Sequence, residues 1–276
     1  NKMIITYLLS MKPVIVANYN YTRISQHIPA FDRSNVRNNF NKYMFSGLIS
    51  RYSFDRPKTR FKMLGMSGRA YQNGFTVACG LTHRRAWQTF LNSKNEYALI
   101  LEEDAICDSK AMNMKHIIDL FKKKIDLNWH FIQLGRCWDF CESQRIMYTY
   151  KKTKFIQSDS PCCSHAYIVS RAGANILLHY SLPHLTSIDL LITLLSRKNI
   201  LNLYSISPLI CNQTRNKNSH DETKLLECDP NEKTLKKNLA YRDDFTFSLI
   251  KSHWVHAYTG YTSYKKQQSC SASEFP

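Results

Sequence analysis

The sequence lacks the long apolar run of a membrane-spanning helix. Its first apolar stretches, residues 3–9 and 14–17, are separated by Lys12 and Pro13, and no later run approaches the roughly 18 apolar residues of a span. Internal repeats are also absent, which excludes solenoids and propellers. We therefore expect a soluble, cytoplasmic protein whose contact with a membrane is at most peripheral.

The nine cysteines show no recurring framework. Their number is odd and their spacings do not repeat, which favours a reducing compartment over a disulfide scaffold. Zinc sites usually combine two ligand pairs at short spacing, and Cys137 with Cys141 supplies only one such pair. We interpret that pair as structural.

Positive charge and hydrophobic residues are abundant. The 38 Lys and Arg against 21 Asp and Glu give a formal charge of +17 over 276 residues, which attracts polyanions such as nucleic acid, acidic membranes or nucleotide phosphates. Hydrophobic residues make up 43% and aromatic residues 12%, so the chain can form a buried core. The basic runs, such as residues 122–124 and 236–237, are short and accompany no recognisable nucleic-acid-binding module. We expect no nucleic-acid partner, and keep nucleic-acid binding as an alternative.

Predicted strands alternate with predicted helices. Strands are expected at 3–9, 97–101, 130–134, 166–170 and 201–206, and helices at 81–93, 111–124, 171–180 and 188–195. Thr82 and Ser187 are suitable N-caps for two of the helices. Residues 18–75 are expected to form loops and short helices. This order predicts an α/β fold with a mostly parallel central sheet flanked by helices, in which ligands bind beyond the carboxyl ends of the strands.

Three acidic residues directly follow a strand predicted to be buried on both faces. Glu102 and Asp104 occupy alternate positions, so their carboxylates are expected on the same side, where hard oxygen ligands suit Mg²⁺ or Mn²⁺. Glu103 is expected to point the other way. The alternative is that these acids precede the next helix and face solvent, and the position after the strand leaves both interpretations open.

These acids belong to a longer pattern. Ala78-Cys-Gly-Leu-Thr-His83, then Trp87 and Tyr97-Ala-Leu-Ile-Leu-Glu-Glu-Asp104 resemble the core motif of glycosyltransferase family 25, which includes lipopolysaccharide and collagen glycosyltransferases. Four further elements are similar to motifs of this family: residues 28–32, residues 164–174, Ser187-Ile-Asp189, and Pro208-Leu-Ile with Gln213. The sequence departs from the family pattern at Glu103, where Asp is usual, at Thr82 in place of Ser, and at Ala78 in place of Gly.

The resemblance implies a GT-A-like domain over residues 1–264, with a tail at 265–276. It also implies metal-dependent, inverting transfer of a sugar from a nucleotide-sugar, such as UDP-galactose, UDP-glucose or UDP-xylose, to a hydroxyl of an oligosaccharide or glycoconjugate. Mn²⁺ or Mg²⁺ held by Glu102 and Asp104 would stabilise the leaving diphosphate. Asp189, in the first turn of a predicted helix, is the predicted base for the acceptor hydroxyl. Its alternative is an ordinary acid at a helix N-terminus.

Four further residues are candidates for the site. His83 and Arg84, expected in the first turn of the helix before the acidic strand, are predicted to reach the donor's phosphates or sugar hydroxyls. Glu103 is predicted to position the sugar or the loop. His220 is predicted as a third metal ligand, with His253 and His256 as rivals. A sugar-binding module of the same fold that has lost catalysis is a further alternative.

Overall fold

The computed structural model of the chain describes residues 4–11, 26–49, 74–108, 117–119, 128–136, 144–150, 153–158, 161–184 and 186–213. His220, the Cys137 and Cys141 pair, the tail at 265–276 and most of the helix predicted at 111–124 lie outside the described residues.

The described residues form ten strands and five helices, and residues 117–119, within the helix predicted at 111–124, are also helical. The strands are β1 (Ile4–Ser10), β2 (Gln26–Pro29), β3 (Tyr97–Glu102), β4 (Ala105–Cys107), β5 (Phe131–Gln133), β6 (Arg145–Tyr150), β7 (Thr153–Gln157), β8 (Ala166–Ser170), β9 (Leu203–Ser207) and β10 (Cys211–Gln213). The helices are α1 (Arg33–Asn38), α2 (Phe40–Phe45), α3 (Gly74–Asn92), α4 (Arg171–Tyr180) and α5 (Ile188–Arg197). Within these residues, no helix combines the length and apolarity that crossing a membrane requires.

Eight of these strands form a mixed sheet in the order β2-β1-β3-β8-β5-β9-β7-β6. Strand β8 is antiparallel to β3 and β5, and β7 is antiparallel to β9 and β6, whereas the other neighbours are parallel. Strands β1, β2, β3, β5, β6 and β9 therefore share one direction, and β7 and β8 oppose it. The predicted α/β class, with a mostly parallel central sheet flanked by helices, is confirmed. Strands β4 and β10 form a separate antiparallel pair.

Strand β3 is buried on both faces because its side chains alternate between two apolar clusters. Leu99 and Leu101 pack in the cluster on one face. Ala98 and Ile100 pack in the other cluster, together with side chains of α3, α4 and α5. This double burial explains the continuous apolar run in the sequence, and it places the three acids where the strand leaves the core.

Helix α3 begins at Gly74, well before the predicted start at Leu81. Thr82 therefore lies inside the helix, where its hydroxyl donates to the carbonyl oxygen of Ala78 at 2.7 Å and accepts from the N–H of Phe31 at 2.9 Å. The predicted N-cap role of Thr82 is wrong. The two glycines and two β-branched residues before Thr82 have low helix propensity, and burial rather than local preference stabilises this first part of α3.

Gly80 lets another segment approach α3 closely. A Cβ atom at this position would lie 1.9 Å from Nε2 of His184, so only glycine accommodates the imidazole in its present place. His184 is itself buried, and its backbone N–H donates to the carbonyl oxygen of Leu48 at 2.9 Å. This contact joins α3 to the segment that follows α4.

The later predictions hold with small shifts. Helix α4 has the predicted bounds, and the hydroxyl of its N-cap, Ser170, accepts from the N–H of Gly173 at 3.1 Å. Ser187 is the N-cap of α5 as predicted, but its side chain makes no capping hydrogen bond. Strands β2, β4, β6, β7 and β10 were not predicted. Strands β2, β4 and β10 have only three or four residues, and β6 lies at an exposed edge of the sheet, beside β7.

Candidate active site

The carboxylate of Glu102 lies where β3 leaves the core, beside α3. Its Oε1 accepts hydrogen bonds from Nε2 of His83 and from the hydroxyl of Ser164, both at 3.0 Å. The backbone N–H of Glu102 donates to the carbonyl oxygen of His165 at 2.8 Å. The Glu102 side chain is 21% exposed and that of His83 only 1%. One oxygen of this carboxylate is thus fixed from the protein interior.

A chain of buried hydrogen bonds fixes the His83 ring. Trp87 donates from Nε1 to the hydroxyl of Tyr167 at 2.9 Å, and that hydroxyl lies 2.8 Å from Nδ1 of His83. Because an indole nitrogen only donates, the Tyr167 proton is available for Nδ1, which places the His83 proton on Nε2, facing Glu102. With this assignment, each hydrogen bond from Trp87 through Tyr167 and His83 to Glu102 has one donor and one acceptor.

Burial alone would raise the pKa of Glu102. The hydrogen bond and charge of His83, followed by the hydrogen bond from Ser164 and the charge of His165, outweigh that effect and hold the pKa of Glu102 below its usual value. Glu102 is therefore an ionised, oriented carboxylate at neutral pH.

Asp104 follows in the turn between β3 and β4, and its environment has the opposite effect. Burial, and then the negative charge of Glu102, raise the pKa of Asp104, while a hydrogen bond with the side chain of Gln213 offsets part of the rise. Gln213 lies on β10, opposite Ala105 in the ladder. The negative charges of Glu102 and Asp104 therefore interact unfavourably where the strand ends.

Glu103 is exposed in the same turn and points elsewhere. Its Oε2 accepts from the backbone N–H of Met11 at 3.1 Å, which ties the turn to the end of β1. This contact agrees with the expectation that Glu103 and Glu102 diverge. A direct contact between Glu103 and the sugar remains a prediction.

Asp189 belongs to the first turn of α5, as predicted. Its Oδ1 accepts from the N–H of Leu190 at 2.9 Å. The pKa of the Cys79 thiol is raised well above its usual value by burial first, and then by the negative charges of Glu102, Asp189 and Asp104. Three predicted acids therefore lie around one thiol of α3.

Arg84 is occupied outside this cluster. Its Nη1 donates to the carbonyl oxygen of Leu178 and to the hydroxyl of Ser181, both at 2.8 Å. These groups lie at the C-terminal end of α4, where free carbonyls and the helix dipole favour a cation. Burial lowers the pKa of Arg84 to about 10, so the side chain stays charged at neutral pH. The predicted placement of His83 and Arg84 in the first turn of their helix is wrong, because α3 begins at Gly74.

A family comparison covers this part of the chain. The model of glycosyltransferase family 25, described as an LPS biosynthesis protein, matches residues 73–192. The resemblance to glycosyltransferase family 25 is confirmed. The match indicates glycosyltransferase activity, and with it a sugar donor and a glycan acceptor in general terms.

Two other comparisons add little to the family 25 match. Comparison with curated proteins gives no match. Among solved structures, the crystal structure of A197 from STIV aligns with a TM-score of 0.36 and 11% sequence identity, over 77% of this chain and 86% of that chain. At that TM-score the likeness carries no weight for the fold or the activity.

The donor atoms of the family 25 region suit the predicted cation. Glu102 and Asp104 offer hard carboxylate oxygens, the ligand type that Mg²⁺ and Mn²⁺ prefer. The charge of Glu102 raises the pKa of Asp104, and a divalent cation between the two would remove that repulsion. The chemistry of these two residues therefore suits the predicted metal, which stays a prediction. His220, the predicted third ligand, lies outside the described residues.

Sequence reasoning missed several residues that shape the acid cluster. Tyr167 and Ser164 orient His83 and Glu102, and both lie in the matched segment at residues 164–174. Reading that segment for polar atoms, rather than for its strand pattern, would have found them. Cys79 and Gln213 were also part of quoted motifs without an assigned role.

A disulfide between Cys107 and Cys211 joins β4 to β10. The two cysteines are 104 residues apart in sequence, so their spacing gave no sign of the pair. The carbonyl oxygen of Cys211 lies 3.5 Å from Nε2 of His165, so this pair adjoins a buried histidine. Because disulfides are typical of oxidising compartments, the reducing compartment favoured by cysteine usage is not supported by this pair, and the cytoplasmic location remains a prediction.

Proposed function

We propose that the chain is a metal-dependent, inverting glycosyltransferase that moves a sugar from a UDP-sugar to a hydroxyl of a glycan acceptor. The observation that carries this proposal is the coincidence of the family 25 match with a cluster of acids. Glu102, Asp104 and Asp189 all act on the Cys79 thiol, and all lie within the matched residues. Such a cluster at the carboxyl end of a buried strand supports a site for a charged ligand.

The proposed reaction is a single displacement. The acceptor hydroxyl oxygen attacks the anomeric carbon from the face opposite the diphosphate, the bond from that carbon to the diphosphate oxygen breaks, and UDP leaves. The acceptor proton passes to the carboxylate of Asp189. Attack from the opposite face inverts the configuration at the anomeric carbon. The Leu190 N–H orients one oxygen of Asp189, which supports its role as the base.

The leaving group acquires negative charge as the bond breaks. Glu102 and Asp104 would hold the Mn²⁺ or Mg²⁺ that supplies Lewis-acid stabilisation of that charge. His83 and Ser164 keep Glu102 ionised and oriented, so we propose that His83 acts through Glu102. Arg84 would shape the site by stabilising the end of α4, and its contact with the donor is retained as a prediction.

The donor, UDP-galactose, UDP-glucose or UDP-xylose, and the oligosaccharide or glycoconjugate acceptor are part of this proposal. The formal charge of +17 supports an anionic partner, first of all the donor diphosphate. Peripheral contact with a membrane that carries the acceptor is compatible with the same charge.

The proposal is tested by thermal unfolding with UDP-, GDP- and CMP-sugars, each with and without Mn²⁺, followed by an assay for free UDP. A ligand that binds the native state raises the melting temperature. We expect a rise with UDP-sugars that depends on Mn²⁺, and release of UDP when a glycan acceptor is added. A rise without transfer would favour the sugar-binding module. A response to oligonucleotides alone would favour nucleic-acid binding.

A further inference from the structure

Three side chains of different chemistry meet on the α3 side of the acid cluster. Cys79 and His83 are four residues apart on α3, which places them on the same face of the helix. Glu102 approaches that face from the end of β3. One ligand atom from each residue, the thiol sulfur, a ring nitrogen and a carboxylate oxygen, lies within 4.8 Å of the other two.

This donor set differs from the oxygen pair of Glu102 and Asp104. A thiolate, an imidazole and a carboxylate together suit borderline-soft Zn²⁺, whereas Mg²⁺ and Mn²⁺ favour oxygen ligands alone. Tetrahedral Zn²⁺ bonds require ligand atoms about 3.4–3.6 Å apart. Nε2 of His83 and Oε1 of Glu102 already lie 3.0 Å apart. The sulfur of Cys79 lies within 4.8 Å of both atoms, so a shift of at most ~1.4 Å, within the range of side-chain rotation, brings it to that spacing.

The surroundings orient two of the three ligands. Histidines that bind metals usually hydrogen-bond through their other nitrogen, which fixes the ring. Nδ1 of His83 makes such a bond to the Tyr167 hydroxyl, and Trp87 holds that hydroxyl in turn. Ser164 holds Glu102. Cys79 and Glu102 both remain partly exposed, which leaves a route for the ion and a water as its fourth ligand.

We propose that Cys79, His83 and Glu102 form a Zn²⁺ site. Binding releases the thiol proton to solvent, while the His83 proton moves from Nε2 to Nδ1, where it donates to the Tyr167 hydroxyl, so one proton leaves for each ion bound. The site rests on these residues alone and does not depend on the proposed transferase activity. Because Glu102 is also a proposed ligand of the transfer cation, Zn²⁺ here would withdraw that carboxylate from the reaction.

The first test uses Co²⁺ as a spectroscopic substitute for Zn²⁺, with the reduced full chain. We expect a near-ultraviolet charge-transfer band from a thiolate bound to Co²⁺, which added Zn²⁺ removes. Cys79→Ser and Cys79→Ala abolish the band at that site, His83→Gln weakens Co²⁺ binding by at least ~10-fold, and Tyr167→Phe weakens it by about 10- to 100-fold. Cys162→Ser, which changes the other described thiol outside a disulfide, leaves the band intact. Absence of the band from the unmodified chain, or its persistence in both Cys79 variants, overturns the proposal.

A second test needs no variant. The unmodified chain is alkylated with and without Zn²⁺, and the modified cysteines are identified by mass spectrometry. We expect Zn²⁺ to slow alkylation of Cys79 and to leave the rate at Cys162 unchanged. Equal rates at Cys79 with and without Zn²⁺ overturn the proposal, whether or not the Cys79 variants fold.

Discussion

Two carboxylates at the end of β3 lie in contrasting surroundings. Glu102 is held by His83 and Ser164, and these partners lower its pKa despite burial. Asp104, in the turn beyond the strand, has its pKa raised by burial and by the charge of Glu102 itself. Hydrogen bonds favour the ionised form of Glu102, whereas burial and the nearby negative charge disfavour the ionised form of Asp104.

The contrast in pKa suits the two carboxylates to different roles. A carboxylate that the protein already satisfies is suited to orientation, because its geometry does not depend on a ligand. A carboxylate whose ionised form is disfavoured gains the most from a cation, because the cation restores its charge balance. We therefore expect loss of Asp104 to affect metal-dependent function most, and loss of the Glu102 partners to affect stability.

The largest effect is expected from Asp104→Ala. Removing this oxygen ligand also removes a repulsive charge, so the protein should fold at least as well as before. Transfer should fall below detection, and the rise in melting temperature with a UDP-sugar and Mn²⁺ should vanish. Asp108→Ala changes an exposed acid just beyond β4 and serves as the matched control, with both properties retained. Unchanged turnover in Asp104→Ala would remove this residue from the metal site.

Asp189→Asn tests the third acid of the cluster, in the first turn of α5. The amide keeps the size of the side chain and can still accept from the Leu190 N–H, but it cannot take a proton from the acceptor. We expect kcat to fall by about 10²–10⁴-fold, the contribution of a general base, with donor binding retained. Steady-state kinetics and thermal shift with a UDP-sugar measure the two quantities separately. A normal kcat would assign the base to another residue.

The hydrogen-bond partners of Glu102 were harder to predict than the acids themselves. The sequence shows the acids after an apolar run, and the alternation of strands and helices locates them at a sheet edge. The partners of Glu102 come from segments about 20 and 60 residues away, His83 on α3 and Ser164 before β8. Local periodicity carries no information on such long-range pairing.

The start of α3 was hidden for a related reason. Residues 74–81 include two glycines, and Thr82 is a suitable N-cap, so local signals place the helix start near Leu81. In the fold, Gly80 packs against His184, and that contact requires the absence of a side chain. Tertiary packing, rather than local helix propensity, therefore determines where α3 begins. As a result, His83 lies inside the helix and not in its first turn.

Tyr167→Phe interrupts the buried hydrogen bonds that orient Glu102 and leaves the acids themselves unchanged. The substitution removes a hydroxyl that accepts from Trp87 and bonds His83, so it leaves two buried polar groups without their partner. We expect the free energy of unfolding to fall by about 3 kcal/mol. Denaturant unfolding measures this loss. Tyr148→Phe, at a partly exposed ring, should change stability by less than ~0.5 kcal/mol, and equal effects of the two variants would argue against the buried series.

A second buried histidine near α3 gives the smallest predicted effect. Burial lowers the pKa of His184 to about 4 from 6.5. As the pH falls below 6.5, the unfolded chain gains a proton at His184 that the folded chain does not accept until the pH nears 4, so acid favours unfolding.

From this shift, the free energy of unfolding should fall by about 2 kcal/mol between pH 7 and pH 5 through His184 alone. Other titrating groups contribute equally in the unmodified chain and in His184→Gln, so the difference between the two proteins isolates this histidine. Denaturant unfolding at both pH values measures that difference. At pH 7, His184→Gln should be less stable than the unmodified chain, because the imidazole packs closely against Gly80. On acidification to pH 5, its free energy of unfolding should fall by about 2 kcal/mol less than that of the unmodified chain. Parallel pH profiles would mean that the imidazole is protonated in the fold, and a buried partner for its charge would then have to lie beside Gly80.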